Sequence, residues 1–282
     1  MSDFKKIVKV HNNFVEAIYS LELTAKKLLL SVILHLNDSN KIEISREELI
    51  REVGIDLGRK DKVERELPIR ELMTKLITIR EINSSNFAIY QLLKATKYKD
   101  GMFYTSVYKD LLPYFQEVKE RLYTKFNILN IKPLSSVYAI RVFEMCKQFE
   151  STGWLTLELA ELKKRLKIEG QYSRIYDLKK WVLNVAVKQI NENTDININY
   201  KLRKQGKAYK YIDFTIKRQQ QNPKLFEAEL TDIQKELGKF IGKKIEGKHI
   251  IKSFRLFNDM IVADTEIGEY QFPNIETLKG AT

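Results

Sequence analysis

The stretch from Tyr172 to Arg218 constrains this chain more than any other. It opens with Q-Y-S-R-I-Y-D-L-K-K-W and keeps helical periodicity to about Asn193. Ile175, Leu178, Val182, Val185 and Gln189 fall at i, i+3, i+7, i+10 and i+14, one stripe that is apolar down to its last turn. The opposite face carries Ser173, Tyr176, Asp177, Lys180 and Asn184, with Arg174 and Lys179 at its flanks. Next comes D-I-N-I-N-Y-K-L-R-K-Q-G-K-A-Y-K-Y-I-D-F-T-I. Here Ile196, Ile198 and Tyr200 alternate with polar residues, as do Tyr209, Tyr211 (or Ile212) and Phe214 after a slip. Two half-buried strands joined by a turn at Gly206 are expected.

A basic helix followed by a hairpin with a basic tip is the order of a winged helix. The helix enters the major groove and the wing straddles a backbone. Charge agrees with that reading. Residues 161–220 hold 15 Lys/Arg against 6 Asp/Glu, a net of 15 − 6 = +9, and the whole chain is +12. Positive charge concentrated on one helix and one loop tip is an electrostatic footprint for phosphates.

Length and composition set the frame. At 282 residues the chain has room for about two domains. Its single Cys146 excludes an internal disulfide framework. The start, M-S-D-F-K-K-I-V-K-V, has no apolar run of signal-peptide length, and no stretch approaches a membrane span. A soluble, cytoplasmic protein with no membrane partner is expected.

Taken in order, Ile7–Val10 reads as a strand. Asn12 or Asn13 caps a helix in H-N-N-F-V-E-A-I-Y, and Thr24 caps a second in T-A-K-K-L-L-L-S-V-I-L-H-L. Lys41–Ser45 alternates as a strand, and Ser45 caps a third helix that stops at Gly54. Lys60–Leu76 is a fourth helix, kinked near Pro68. Strands are expected at Ile77–Ile82, Phe87–Ala95 and Met102–Val107, and a linking helix over K-D-L-L-P-Y-F-Q-E-V-K-E. The same order then returns. Tyr123–Ile131 is extended, Ser135-Ser136 caps an apolar helix with Tyr138, Ile140, Val142, Phe143 and Phe149, and Gly153–Leu157 is a strand. A helix over Leu157–Leu166, the basic helix and the wing complete it.

The expected fold is therefore α+β: two winged helices in tandem, meeting near residues 115–122, with a small C-terminal α/β appendage. The domains are 1–118, with dimerisation and auxiliary DNA contact, 119–220, the main DNA reader, and 221–282, a packing or partner appendage. From Pro223 onward 9 basic residues face 10 acidic ones, so no phosphate-binding excess is visible there. Leu225–Ile241 reads as a helix and Ile245–Phe272 as two or three strands.

Enzyme readings fail in turn. His11, His35 and His249 are not paired at metal-ligand spacing, so a metal-dependent nicking enzyme is disfavoured. Without that metal a nucleophilic tyrosine has no activator. G-K-K-I-E-G-K-H (242–249) approaches a phosphate-binding loop, but His249 stands where the magnesium-binding hydroxyl belongs. It reads as a turn. No catalytic residue, metal or cofactor is expected.

The run L-Y-T-K-F-N-I-L-N-I, then S-S-V-Y-A-I-R-V-F-E-M-C-K-Q-F, L-T-L-E-L-A-E-L-K-K-R-L-K-I, Y-S-R-I-Y-D-L-K-K-W-V-L and I-N-E-N-T-D-I-N-I-N-Y resembles the second domain of iteron-binding plasmid replication initiators. L-T-A-K-K-L-L-L-S-V-I-L resembles their first domain, and the likeness covers roughly residues 4–218. It implies binding of repeated sites in double-stranded DNA at a plasmid origin and opening of the duplex nearby. It also implies recruitment of the host replication initiator and replicative helicase. Repression of the chain's own gene as a homodimer on an inverted repeat is a further family habit. The rival reading is a winged-helix repressor with no replication role. By the resemblance, Tyr172–Asn193 reads the major groove. That places Arg174, Lys179 and Lys180 at or beside DNA, with Ser173, Tyr176 and Asn184 on the same face and Arg203, Lys204 and Lys207 on the wing. Arg174 can give two donors to guanine or pair locally with Asp177. Trp181 replaces a family basic residue, which removes one phosphate contact and suggests packing under the wing. Arg59, Lys60, Lys62 and Arg65 start the equivalent helix of the first domain, interleaved with acids, and read as a weaker site. Phe87, Ile89, Tyr90, Leu92 and Leu93 offer an interface strand or a core strand.

Overall fold

The computed structural model describes residues 7–36, 40–58, 61–80, 85–115, 123–219, 237–257, 260–272 and 275–282. The chain divides into two compact units, Ile7–Gln220 and Gln221–Thr282.

The first unit opens with β1 (Ile7–His11), which pairs antiparallel with β7 (Tyr123–Asn127), so the start of the chain is tied to the segment leading into its second half. Helix α1 (Asn12–Val15) is a single turn capped by His11, whose Nδ1 accepts from the Asn13 amide at 3.1 Å. The cap thus lies one residue before Asn12 and two before Asn13, and beyond the helix Ile18 bridges Thr78. Helix α2 (Leu23–Leu34) starts after Glu22 with no side-chain cap, so Thr24 is not its cap. Instead the Glu22 amide donates to Glu71 Oε1 at 3.0 Å, satisfying an amide before the first turn from across the fold.

The local code holds where it is strongest. After β2 (Lys41–Ser45), Ser45 and Glu48 form a reciprocal capping box on α3 (Arg46–Val53), and Gly54 ends it at φ 71°, a left-handed position that glycine takes without strain. Helix α4 (Lys62–Thr74) is capped by Asp61 and contains Pro68. β3 (Leu76–Arg80) and β4 (Phe87–Gln91) form a two-stranded hairpin. β5 (Ala95–Lys99) and β6 (Met102–Ser106) join β2 in a separate sheet of order β2-β6-β5. The single strand expected over Phe87–Ala95 is therefore two strands in two sheets. Leu92 and Leu93 are buried at the break, and Lys94 already donates to Ser106 O. Of the linking helix, the described residues show a 3-10 turn, Lys109–Leu111, and α5 (Leu112–Phe115). The expected domain junction lies mostly in residues 116–122, outside the described residues.

After β7 comes a 3-10 turn, Ile128–Asn130, and then α6 (Val137–Gln148). Every residue from Ala139 to Lys147 is buried, so α6 is enclosed on all sides. Cys146 is among them, and burial pushes its thiol far up. One continuous core runs from Val8 through α6 to Ile216, so the two winged helices share a single hydrophobic interior. β8 (Trp154–Glu158) and α7 (Leu159–Arg165) follow.

The basic helix begins at Ile175, three residues later than expected. It comprises α8 (Ile175–Leu178), a π-helical turn (Lys179–Leu183) and α9 (Asn184–Asn193). The wider turn adds a residue, and the buried stripe slips by one. Leu178 and Val182 are buried as expected, but beyond them the core takes Leu183, Ala186 and Ile190 rather than Val185 and Gln189. Gln189 gains a different task. Its Oε1 accepts from the Ser135 and Ser136 amides at 2.9 and 3.1 Å, capping α6 from another helix. Gln189→Ala should cost about 1 kcal/mol in a denaturant melt, and Gln189→Glu, which keeps the acceptors, clearly less. Equal losses from both would show that the cap is not what Gln189 contributes.

The wing is β9 (Ile196–Gln205) and β10 (Ala208–Arg218), in a sheet of order β8-β10-β9. Its register shifts between Tyr209 and Tyr211, which is the slip seen in the alternation.

In the second unit, β11 (Lys244–Ile245), β12 (His249–Phe257), β13 (Met260–Thr265) and β14 (Glu269–Phe272) form a sheet in that order, followed by α10 (Ile275–Ala281). It has its own core of Leu237, Phe240, Ile245, Ile251, Ile261, Ala263, Phe272 and Leu278. The loop-like segment at 242–249 is strand, turn and strand, with Glu246 and Gly247 both at positive φ. No helix N-terminus follows it to hold phosphate, and the turn reading is right. The helix expected at Leu225–Ile241 falls mostly outside the described residues, and α10 has no counterpart among the expected elements.

Candidate nucleic-acid interface

The basic helix is anchored at its start by α7. Lys163 Nζ donates to the carbonyls of Tyr172 and Gln171 at 2.9 and 3.3 Å, holding a chain that turns through φ 50° at Tyr172. The Tyr138 hydroxyl, screened by burial and then bonded to the Tyr172 side chain, is pushed up to about 12. These contacts fix where α8 begins and so where its first turn points its side chains.

Arg174 is the N-cap residue and is 79% exposed. Its Nε donates to Asp177 Oδ2 at 2.8 Å, so the local pairing forms. Its two terminal nitrogens have no partner among the described residues. The two readings of Arg174 are thus compatible: Asp177 steadies the guanidinium by one edge and leaves its fork available. Ser173, Tyr176, Lys179 and Lys180 are exposed along the same stretch. Trp181 is 54% exposed with Lys180 Nζ 4.6 Å from its ring centre, which corrects the expectation that it packs under the wing. Asn184 is exposed, and its Oδ1 accepts from the Tyr200 hydroxyl at 2.7 Å, tying helix to wing.

On the wing, Gly206 turns at φ 65° and carries Lys204 and Lys207, both exposed, at the tip. Lys204 Nζ lies 5.0 Å from the Tyr209 ring centre. Arg203 is engaged differently. Its Nη2 donates to Asp213 Oδ1 at 3.0 Å, its Nε to Asp213 Oδ2, and its guanidinium lies 4.9 Å from the Tyr211 ring centre. Thr156 donates to the same carboxylate at 2.7 Å. The hydrogen bond from Arg203, with that from Thr156, holds Asp213 below the usual carboxylate range. Arg203 therefore braces β8, β9 and β10 together. The structure thus brings Ser173, Arg174, Tyr176, Lys179, Lys180 and Asn184 onto one stretch of helix surface and sets Lys204 and Lys207 apart at the wing tip.

Trp181 is the residue that sequence reasoning misplaces, although the period already sets it off the apolar stripe. In the first domain, Arg65 lies over the Tyr98 ring at 5.3 Å, and Arg59 and Lys60 lie outside the described residues. One histidine does meet carboxylates, in a cluster that sequence spacing does not show. His35, Glu48 and Glu52 bring ligand atoms within 4.8 Å of one another. Each already serves the protein: Glu52 accepts from Ser31 and meets His35 at 2.9 Å, and Glu48 caps α3.

These features match known proteins. The profile of the initiator replication protein family matches in both halves, its first winged helix (WH1) over residues 7–147 and its second (WH2) over 158–216. The chain belongs to the initiator replication protein family. The chain is 25% identical over 170 residues to a replication initiation protein of Escherichia coli, matching 58% of its own length and about half, 52%, of that relative's. An uncharacterized 27.6 kDa protein of the same organism is 26% identical, over 72% of this chain and 92% of the relative. Among solved structures, Pi initiator protein in complex with iteron DNA superposes with a TM-score of 0.59 at 18% identity. That match covers 76% of this chain and 98% of the other, and it shows the tandem winged-helix fold. No helix among the described residues is long and apolar enough to cross a membrane.

Proposed function

We propose that this initiator binds short direct repeats in double-stranded DNA at a plasmid origin and thereby starts replication, with the second winged helix as the main reader. The observation that carries the proposal is the exposed row from Ser173 to Asn184 beside a lysine-tipped wing, on the most basic stretch of the chain. The solved relative in complex with iteron DNA supports the same reading. Recruitment of a host initiator and helicase is part of the same proposal. The test is a titration of duplexes carrying tandem direct repeats, an inverted repeat or neither, at several salt concentrations. Tighter binding to direct repeats is expected, with log K falling against log salt by roughly 0.9 per neutralised phosphate. A flat salt response would remove the electrostatic basis, and binding to the inverted repeat alone would make the chain a repressor only.

The β3–β4 hairpin supports a dimer that represses the initiator's own promoter. Leu76, Phe87 and Ile89 are 62, 58 and 55% exposed. By register they lie on one face, opposite the buried Ile77 and Ile79. Exposed apolar residues grouped on one sheet face mark an interaction surface. Phe87→Glu should shift sedimentation toward monomer and weaken binding to an inverted repeat, while leaving single-site binding unchanged. An unaltered monomer–dimer balance would place the interface elsewhere.

A further inference from the structure

The C-terminal unit has a near-neutral total that conceals a division. Residues 237–255 hold six Lys/Arg against one Glu, and residues 256–282 hold five Asp/Glu against one Lys. The sheet order β11-β12-β13-β14 turns this into a spatial polarity. Lys243 and Lys244 lie at β11, the outer strand, Lys248 in the β11–β12 turn and Lys239 in the helical turn before them. All four are exposed. The chain folds back on itself here: the Lys243 amide donates to Phe240 O at 3.0 Å, and the Ile251 amide to Lys243 O at 2.9 Å. Asp264 and Glu269, paired in register, hold the opposite side on β13 and β14.

We propose that the β11–β12 edge of this unit is a second DNA contact, taking the phosphate backbone. The inference rests on the reading of the chain as a DNA-binding initiator. Among the described residues no carboxylate lies within ion-pair distance of Lys239, Lys243, Lys244 or Lys248. Glu266, the acid bonded to the start of β12, is occupied: both its oxygens accept from the Ile250 amide, at 3.1 and 3.0 Å, and it faces His249 at 3.8 Å. Lysines left unpaired next to each other repel, and a polyanion relieves that repulsion while releasing its counterions. The edge also carries apolar surface suited to sugar and base faces. Ile241 and Ile250 are exposed, and the Phe240 ring lies 4.6 Å from Lys243 Nζ. A contact of this kind is independent of sequence. It adds to the affinity of the winged helices through the effective concentration that one chain confers on both sites.

The test uses the full chain and a mixed-sequence duplex, read by anisotropy across a salt series. Replacing Lys239, Lys243, Lys244 and Lys248 together by Gln should weaken binding and make the slope of log K against log salt shallower by roughly 0.9 for each phosphate no longer neutralised. Replacing the same four by Arg should restore it. An unchanged slope for the Gln variant, with an unchanged melting temperature, overturns the proposal. Wild-type DNA binding with loss of retention on immobilised polyglutamate would overturn it in favour of an acidic protein. A wild-type chain that fails to bind duplex at all would instead sink the initiator reading itself.

Discussion

Glu144→Ala is expected to cost about 3–5 kcal/mol, a large part of the stability of an ordinary domain. Glu144 lies on α6 and is 1% exposed, between Lys26 of α2, fully buried, and Arg141, 3% exposed. Lys26 Nζ donates to Glu144 Oε1 and to the Tyr19 hydroxyl, each at 2.7 Å. Arg141 Nη1 donates to Glu144 Oε2 at 3.3 Å and to the same hydroxyl at 2.9 Å, and its Nη2 to Ala17 O at 2.8 Å. One carboxylate thus compensates two buried cations, and removing it leaves both without a counter-charge in a low-dielectric interior. The Glu66–Arg70 pair is the control. It has the same 2.7 Å separation but lies on the surface, 39 and 71% exposed, and its loss should cost no more than about 0.5 kcal/mol. Urea midpoints of the two variants, at unchanged slope, decide it. A Glu144→Ala cost near that of the surface pair would mean the two cations find water. The network joins α2 and the segment after α1 to α6, and α6 packs against α9. Its loss should therefore also loosen the setting of the basic helix against the first domain.

Much of the fold was legible because it is written locally. The Ser45–Glu48 box, Gly54, the hairpin turn at Gly206 and the alternation of Ile196, Ile198 and Tyr200 each depend on neighbours a few residues away. What escaped depends on distant partners or on a broken period. Arg141 and Glu144 look like surface charges in sequence, and their burial follows from Tyr19 and Lys26, more than a hundred residues earlier. A helical wheel assumes 3.6 residues per turn, so the π-helical turn at Lys179–Leu183 moved the core from Val185 and Gln189 to Ala186 and Ile190. The strand at Phe87–Ala95 broke because Leu92 and Leu93 turn into the core between two sheets, a demand no alternation pattern expresses. At the candidate interface the exposed residues of the helix were readable from the period. The diversion of Arg203 to Asp213 was not, because a cross-strand pair needs the register.

Arg174→Ala separates the reading of sequence from the holding of phosphate. The first turn of a recognition helix meets base edges. Arg174 caps the first turn of the basic helix with one edge bonded to Asp177 and, among the described residues, its terminal nitrogens without a partner. A two-donor contact to guanine predicts a loss of about 1–3 kcal/mol at the cognate repeat, with discrimination relaxed at one base position and weak random binding nearly intact. Lys204→Ala and Lys207→Ala, at the exposed wing tip, should instead weaken cognate and random duplex alike and make the salt slope shallower by roughly 0.9 for each phosphate released. Asp177→Ala adds the control for positioning, because it frees the guanidinium without removing it. Some loss of discrimination there, smaller than for Arg174→Ala, is expected if the carboxylate only orients its partner. The measurement is a competition titration of single-base variants of the repeat with each folded protein. Equal losses on cognate and random DNA for Arg174→Ala would make Arg174 a phosphate contact. No loss on either would leave the pair with Asp177 as its only role.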